Sequence, residues 1–474
     1  MKLLASRLRE IAKKEEEEGR NDIKLLASRL GIGGRPTVSR SRSRESDNGD
    51  ENDNINNEDV FIYRYIHGYP NIVPKTVKHV RIHPSVKVIG ERTFYDCTKL
   101  HTVELYDGLE EIRDRAFRNC EALRSVIIPK SVRAIDDSAF RDCVSLVEVK
   151  LWCGNNSNTN EEDEVVEDIY AEEGGGLVRI GWSAFRNCVS LQEILIPPTV
   201  HEIGHEAFRD CKSLVKLTIY NGTSFIRKDA FRDCAALRHV IIPPSVCEIG
   251  VSAFHDCGAL ETLKFDTTSD DDDNYNDNVS CGDSKLELID DMAFAECKSL
   301  RIVDFPSQLR SIGVEAFSHC EQLIEVTFND GLLAIKDGSF LECISLLGID
   351  IPSSVRSIDR MAFGRCTALS AVALHTGSLT EIADYAFRGC TALTIMKVPT
   401  SVRSIGYEVF RDCDTLIEVD IEDGLERIGA NAFWDCATLT YVKLPRTIVA
   451  IVGARLGEGQ VVVPRSIPTF IFGT

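Results

Sequence analysis

The chain has 474 residues, 43% of them hydrophobic and 27% charged, with 54 basic against 74 acidic side chains and a net charge of −20. An acid excess of that size repels nucleic acid and anionic membrane surfaces, so neither is expected as a partner. The sequence has no run of 18 or more apolar residues, so no transmembrane helix is predicted.

Residues 1–33 are predicted to form an amphipathic helical segment. Lys2-Leu3-Leu4-Ala5-Ser6-Arg7-Leu8 recurs at residues 24–30, and Leu4, Leu8 and Ile11 share one helical face. Such a helix is either solvated or a docking or dimerisation element. Arg7 and Arg9 interrupt what a secretory signal would need as an apolar core, and the acidic run at residues 15–18 is foreign to a mitochondrial presequence. The expected location is therefore intracellular, in the cytoplasm, a reducing compartment in which the 17 cysteines are thiols. Residues 34–60, rich in Ser, Arg, Asn and Asp, read as a disordered linker. Residues 61–84 carry a degenerate half-repeat and read as an N-terminal cap.

From residue 85 to 450 the chain repeats. A Phe three residues before a Cys occurs at 94, 117, 140, 185, 208, 231, 254, 294, 317, 340, 363, 387, 410 and 433. The spacing is 23 residues ten times, 24 once, and 45 and 40 at two insertions. Ile stands five before the Phe in all fourteen copies, Cys three after it, and Leu three beyond the Cys. The positions three and five beyond that Leu are always apolar, as in Val126 and Ile128. Alternation of period two predicts a short strand with one buried face. A proline turn (Pro129, Pro243, Pro352) or an Asp-Gly turn (Asp107-Gly108, Asp423-Gly424) follows, then a second extended piece ending in the invariant Ile. One such unit cannot bury its own apolar face, whereas stacked units bury a continuous core.

The pattern Leu-x-x-Val-x-Ile-Pro-x-x-Val-x-x-Ile-Gly-x-x-Ala-Phe-x-x-Cys, met nearly residue for residue at 191–211, resembles the BspA-like leucine-rich repeats. The resemblance implies a leucine-rich-repeat solenoid that binds proteins, in that family often as a surface adhesin. The expected fold is a parallel β-sheet with short turns or helical segments over about 14 repeats, plus the N-terminal helix.

Two acidic insertions, near residues 152–175 and 266–283, and the single extra residue around Gly377 all enter between the strand and the second extended piece. They are expected on one edge of the solenoid, as solvated loops; residues 270–277 lack the spacing and glycine of a calcium loop. At residues 451–474 the motif decays, with Arg455-Leu456 in place of Ala-Phe and no following Cys, which reads as a C-terminal cap.

His201-Glu202-Ile203-Gly204-His205 matches the H-E-x-x-H of zinc proteases, which works only on a helix that puts both imidazoles on one face. Here Ile203 is the invariant Ile, so the segment reads as ordinary, extended repeat. The cysteine column contains no C-x-x-C pair and reads as a buried ladder, with Cys153 and Cys281 in the insertions as its reactive exceptions. Arg follows the Phe at 118, 141, 186, 209, 232, 388 and 411, usually before Asp or Asn. That ridge is either locally ion-paired or a basic stripe for an acidic partner. Asn155, Asn221 and Asn278 begin N-x-S/T triplets that matter only in a secreted chain.

These residues predict a non-enzymatic module for protein–protein recognition, without cofactor or metal, whose partner is an unidentified protein. The candidate partner-binding positions are the polar residues one before the final apolar column: Glu104, Lys150, Thr218, Lys264, Asp304, Asp350, Lys397, Asp420 and Lys443. A structural scaffold without a specific ligand and a metal-dependent hydrolase are the alternatives.

Overall fold

A computed structural model describes residues 60–66, 69–70, 73–151, 176–266 and 284–451. All belong to one unit, Ile55–Thr474. The other unit, Met1–Asn54, lies outside the described residues, and with it the expected N-terminal helix and most of the linker. So do the two acidic insertions, Asp266 excepted, and the expected C-terminal cap beyond Ile451.

Each coil opens with a long strand of three or four residues, such as Ser125–Ile128 or Glu193–Ile196. In the former, Val126 and Ile128 are buried while Ser125 and Ile127 are exposed, as the pleat requires of a two-residue period. These strands pair in parallel in a 13-stranded sheet from Val60–Tyr63 to Ala371–Leu374, then in a three-stranded one from Ile395–Val398 to Tyr441–Lys443. The break falls at the coil carrying the extra residue, where Val372 and Leu374 are only half-buried.

A turn ends each long strand. At Pro129 the ring fixes φ and the carbonyl accepts the Val132 N–H at 3.1 Å. At Asp423-Gly424 the glycine takes φ +140, and a Cβ there would stand 2.1 Å from the Thr400 carbonyl oxygen of the preceding coil, so no side chain fits. The chain then enters a two-residue strand ending in the invariant Ile. Fifteen of these form a second parallel sheet, from Val88–Ile89 to Ala450–Ile451.

The third side of the coil is built of turns, not helix. Two residues per coil hold positive φ, one two before the Phe and one two after it. Around Phe117 they are Arg115 (φ 52) and Asn119 (φ 63); around Phe433 they are Asn431 (φ 57) and Asp435 (φ 59). Left-handed residues at that spacing interrupt a helix. Their N–H groups reach the next coil instead: Arg92 donates to Asp114 O at 3.0 Å, Phe94 to Ala116 O at 2.7 Å and Asp96 to Arg118 O at 2.9 Å. All three donors point toward later coils, so this side is a one-way peptide ladder, unlike the alternating bonds of a pleated strand.

The columns constant in sequence are the core. From Phe94 to Phe433 the fourteen rings stack without a gap, neighbouring centroids 4.9–5.8 Å apart and planes within 12° of parallel. Tyr63 meets the first ring edge-on at 5.2 Å. Beneath the stack each cysteine of the Phe–Cys column from Cys120 onward donates its thiol to the Phe carbonyl of the preceding coil, as Cys257 does to Phe231 O at 3.3 Å. Burial pushes most of these thiols up, Cys366 to about 12. They pack as small apolar side chains with a satisfied S–H.

Candidate recognition surface

All nine sequence-derived positions lie on long strands and face away from the core. Seven are exposed; Thr218 and Asp420 are half-buried. The register places them in one line across the coils. Arg81 sits beside Glu104, Ile127 beside Lys150, Leu195 beside Thr218, Ile241 beside Lys264, and Asp304 beside Thr327. Asp350 adjoins Ala373, and beyond the sheet break Lys397, Asp420 and Lys443 run on together.

Several of these charges are already matched. Arg81 Nε lies 2.6 Å from Glu104, Lys443 Nζ 2.7 Å from Asp420, His375 Nε2 2.6 Å from Asp350, and Lys150 Nζ 2.9 Å from Glu148. The hydrogen bond from Arg81 holds the Glu104 carboxyl below its usual range, and the bond to Asp420 raises Lys443. Exposed pairs like these contribute little stability, so they are exchangeable for a partner's charges.

The polar criterion passed over other members of the same line, among them Arg81, Ile127, Leu195, Ile241, Thr327 and Ala373. Arg81 stands on a strand with no Phe–Cys motif ahead of it, which hid its register. Thr327 was overlooked, while Ile127 and Ile241 were set aside as apolar. Yet Ile127 and Ile241 are 60% and 55% exposed. Among the described residues fourteen large apolar side chains are exposed, and eight stand on this sheet or at the entry to its strands: Ile62, Ile127, Val147, Val215, Ile241, Leu347, Ile395 and Ile417. A sheet needing only solubility would carry polar groups there.

The arginine ridge on the turn side exists, and it is locally paired. Arg118 and Arg141 reach Asp142 at 3.4 and 3.5 Å, and Arg209 meets Glu206 at 3.3 Å and Asp233 at 3.8 Å. Arg232 meets Asp229 at 3.3 Å, and Arg411 meets buried Glu408 at 2.8 Å. Burial opposes the charge of Glu206, but hydrogen bonds from Ser183 and Arg186 still hold its carboxyl below the usual range. Glu and Asp thus take up the charge that a basic stripe would present.

The H-E-x-x-H segment has the wrong geometry for a zinc protease. Glu202–Ile203 is a strand, Ile203 is buried, His201 is held by the Thr199 carbonyl at 2.9 Å, and Glu202 accepts from Arg227 at 3.1 Å. That bond holds the Glu202 carboxyl below its usual range, as an ion-pair partner of Arg227. Among the described residues no group of three or more His, Cys, Asp or Glu is placed to hold a metal.

A family model, the BspA type leucine rich repeat region, matches residues 74–163, 171–279, 273–376 and 373–454. Among curated proteins none matches. A leucine-rich repeat protein of Bacteroides ovatus has a similar solved structure, with 24% identity, 82% of this chain and 87% of that one covered, and a TM-score of 0.61. A leucine rich cell surface protein of Faecalibacterium prausnitzii is 24% identical over 77% of this chain and 88% of its own, with a TM-score of 0.37. The leucine rich repeat protein of T. pallidum is 34% identical over 32% of this chain and 72% of its own, at 0.31.

Proposed function

The chain belongs to the BspA-type leucine-rich-repeat family, and from that premise we propose that it recognises another protein through the outward face of its long-strand sheet, without catalysing a reaction. Repeats of this family generally serve as binding or scaffold modules. The observation that carries the reading is the concentration of exposed aliphatic side chains along the long-strand face, eight of the fourteen large apolar side chains exposed among the described residues. Protein interfaces need such a desolvated centre ringed by polar groups. The lysines and carboxylates between the aliphatic groups supply that ring.

Affinity capture followed by mass spectrometry tests the proposal, comparing the native chain with two variants. One carries Ile127→Asp, Ile241→Asp and Ile417→Asp on the sheet; the other carries Trp182→Ser, an exposed side chain on the turn side. A partner lost only with the sheet variant supports recognition there. A partner kept by the sheet variant and lost with Trp182→Ser overturns it. No partner for any form favours a scaffold without a specific ligand.

A further inference from the structure

The line of outward residues has an internal rhythm over the six coils that end at the second insertion. From the coil of Ile127 to that of Lys264 it runs Ile127, Lys150, Leu195, Thr218, Ile241, Lys264, one residue per coil in unbroken parallel register. Aliphatic side chains occupy every second coil, and the coils between them carry Lys, Thr and Lys. Two coil steps separate successive aliphatic groups, about 9.6 Å at ordinary strand spacing.

Two turns of an α-helix, seven residues, advance about 10.5 Å. A helix laid along the coils therefore meets each aliphatic position with every seventh residue. The residue three or four further on meets the intervening Lys or Thr. Over the five steps of the stripe the two periods drift apart by only about 2 Å. An extended strand advances about 6.6 Å per same-face residue and falls out of step within one repeat.

Charge sets the sign of the partner. In these six coils the exposed cations at the sheet surface are Arg124, Lys150, Lys216, Arg238 and Lys264, against Glu148, Glu193 and Glu261. Five cations to three anions reverses the acid excess of the whole chain, 74 to 54. From the coil of Asp304 onward the same positions hold Arg301, Lys397 and Lys443 against Asp304, Glu325, Asp350, Glu418 and Asp420, with Glu325, Glu418 and Asp420 half-buried and the others exposed.

We propose that the stripe from Ile127 to Lys264 docks an acidic amphipathic α-helix of the partner protein, with an aliphatic residue at every seventh position and carboxylates half a heptad away. This rests on the sheet face being the recognition surface, and it adds which coils bind and what they bind. Lys150 exchanges its contact with Glu148 for a carboxylate of the helix, while Ile127 and Ile241 seat between the helix's aliphatic side chains.

The test uses the full chain and a fluorescent three-heptad peptide with Leu at every seventh position, Glu four residues after each Leu, and Ala and Gln elsewhere. Fluorescence anisotropy should show saturable binding that weakens as salt rises and drops about tenfold with Lys150→Glu combined with Lys264→Glu. Asp304→Lys combined with Asp350→Lys, on the later coils, should leave it unchanged. A peptide of the same composition broken by two prolines should not bind. Equal binding of the proline-broken peptide overturns the helix, because charge alone then suffices. Equal or tighter binding of a counterpart with Lys in place of Glu overturns the charge assignment. If no peptide binds while the sheet variant still loses a captured partner, the helix inference fails and the recognition reading stands; loss of both removes the premise.

Discussion

Phe254 lies at 0% exposure between Phe231 and Phe294, with ring centroids 5.2 and 5.1 Å away. Phe254→Ala removes a ring that touches both neighbouring coils, and a large-to-small change at so closed a site costs about 3–5 kcal/mol. Phe433, at 5% exposure, has one stacking neighbour, Phe410 at 5.6 Å. Its replacement by Ala removes one inter-coil contact, so about half that cost is expected. In a solenoid each coil rests only on its neighbours, so the central substitution weakens two interfaces at once and uncouples the coils on either side. Urea unfolding followed by circular dichroism should show Phe254→Ala with a lowered midpoint and a second, separated transition. Phe433→Ala should lower the midpoint less and keep the native number of transitions. Equal losses for the two variants, or a cost below about 1 kcal/mol at position 254, would refute the idea that the ring stack joins the coils energetically.

Without denaturant a thiol reagent should label the cysteines of the Phe–Cys columns slowly, because they are buried. Cys247, half-buried, and Cys153 and Cys281 of the insertions should react first; quick modification of most of the 17 would contradict the ladder. Gly424→Ala should destabilise measurably, since φ is +140 and the Thr400 oxygen occupies the Cβ site, whereas Gly258→Ala, with nothing within 4 Å, should be neutral in thermal melts. Glu206 has a folded carboxyl below its unfolded range, so its contribution is present above the unfolded pKa and lost as pH falls through the lower folded value. The stability gap between native chain and Glu206→Gln should accordingly be widest near neutrality and close in acid.

Much of this fold was legible in the sequence because burial selects side chains. The Ile, Phe, Cys and Leu columns are constant in composition, and the structure holds nearly all of them at or close to zero exposure. The two-residue alternation that places Val126 and Ile128 inside fixes, by the same geometry, which residues face out. The turn-side ladder was harder to see, because it is made by backbone groups. The left-handed position two before the Phe holds Arg92, Ser138, Glu206, Met292 or Tyr385 indifferently. The one two after it did leave a mark, in the Asp and Asn recurring from Asp96 to Asp435, residue types that tolerate that conformation best. The choice of polar residues as the candidate site hid Ile127 and Ile241, whose exposure is informative because they are apolar.

The claim that the long-strand sheet is the recognition surface is met most directly by site-specific photo-crosslinking. A benzophenone amino acid placed at position 241, and separately at position 182 on the turn side, reports which surface a partner touches. The account predicts a discrete crosslinked species from position 241 that competes with unlabelled native chain, and none from position 182. Crosslinking from position 182 alone would contradict it.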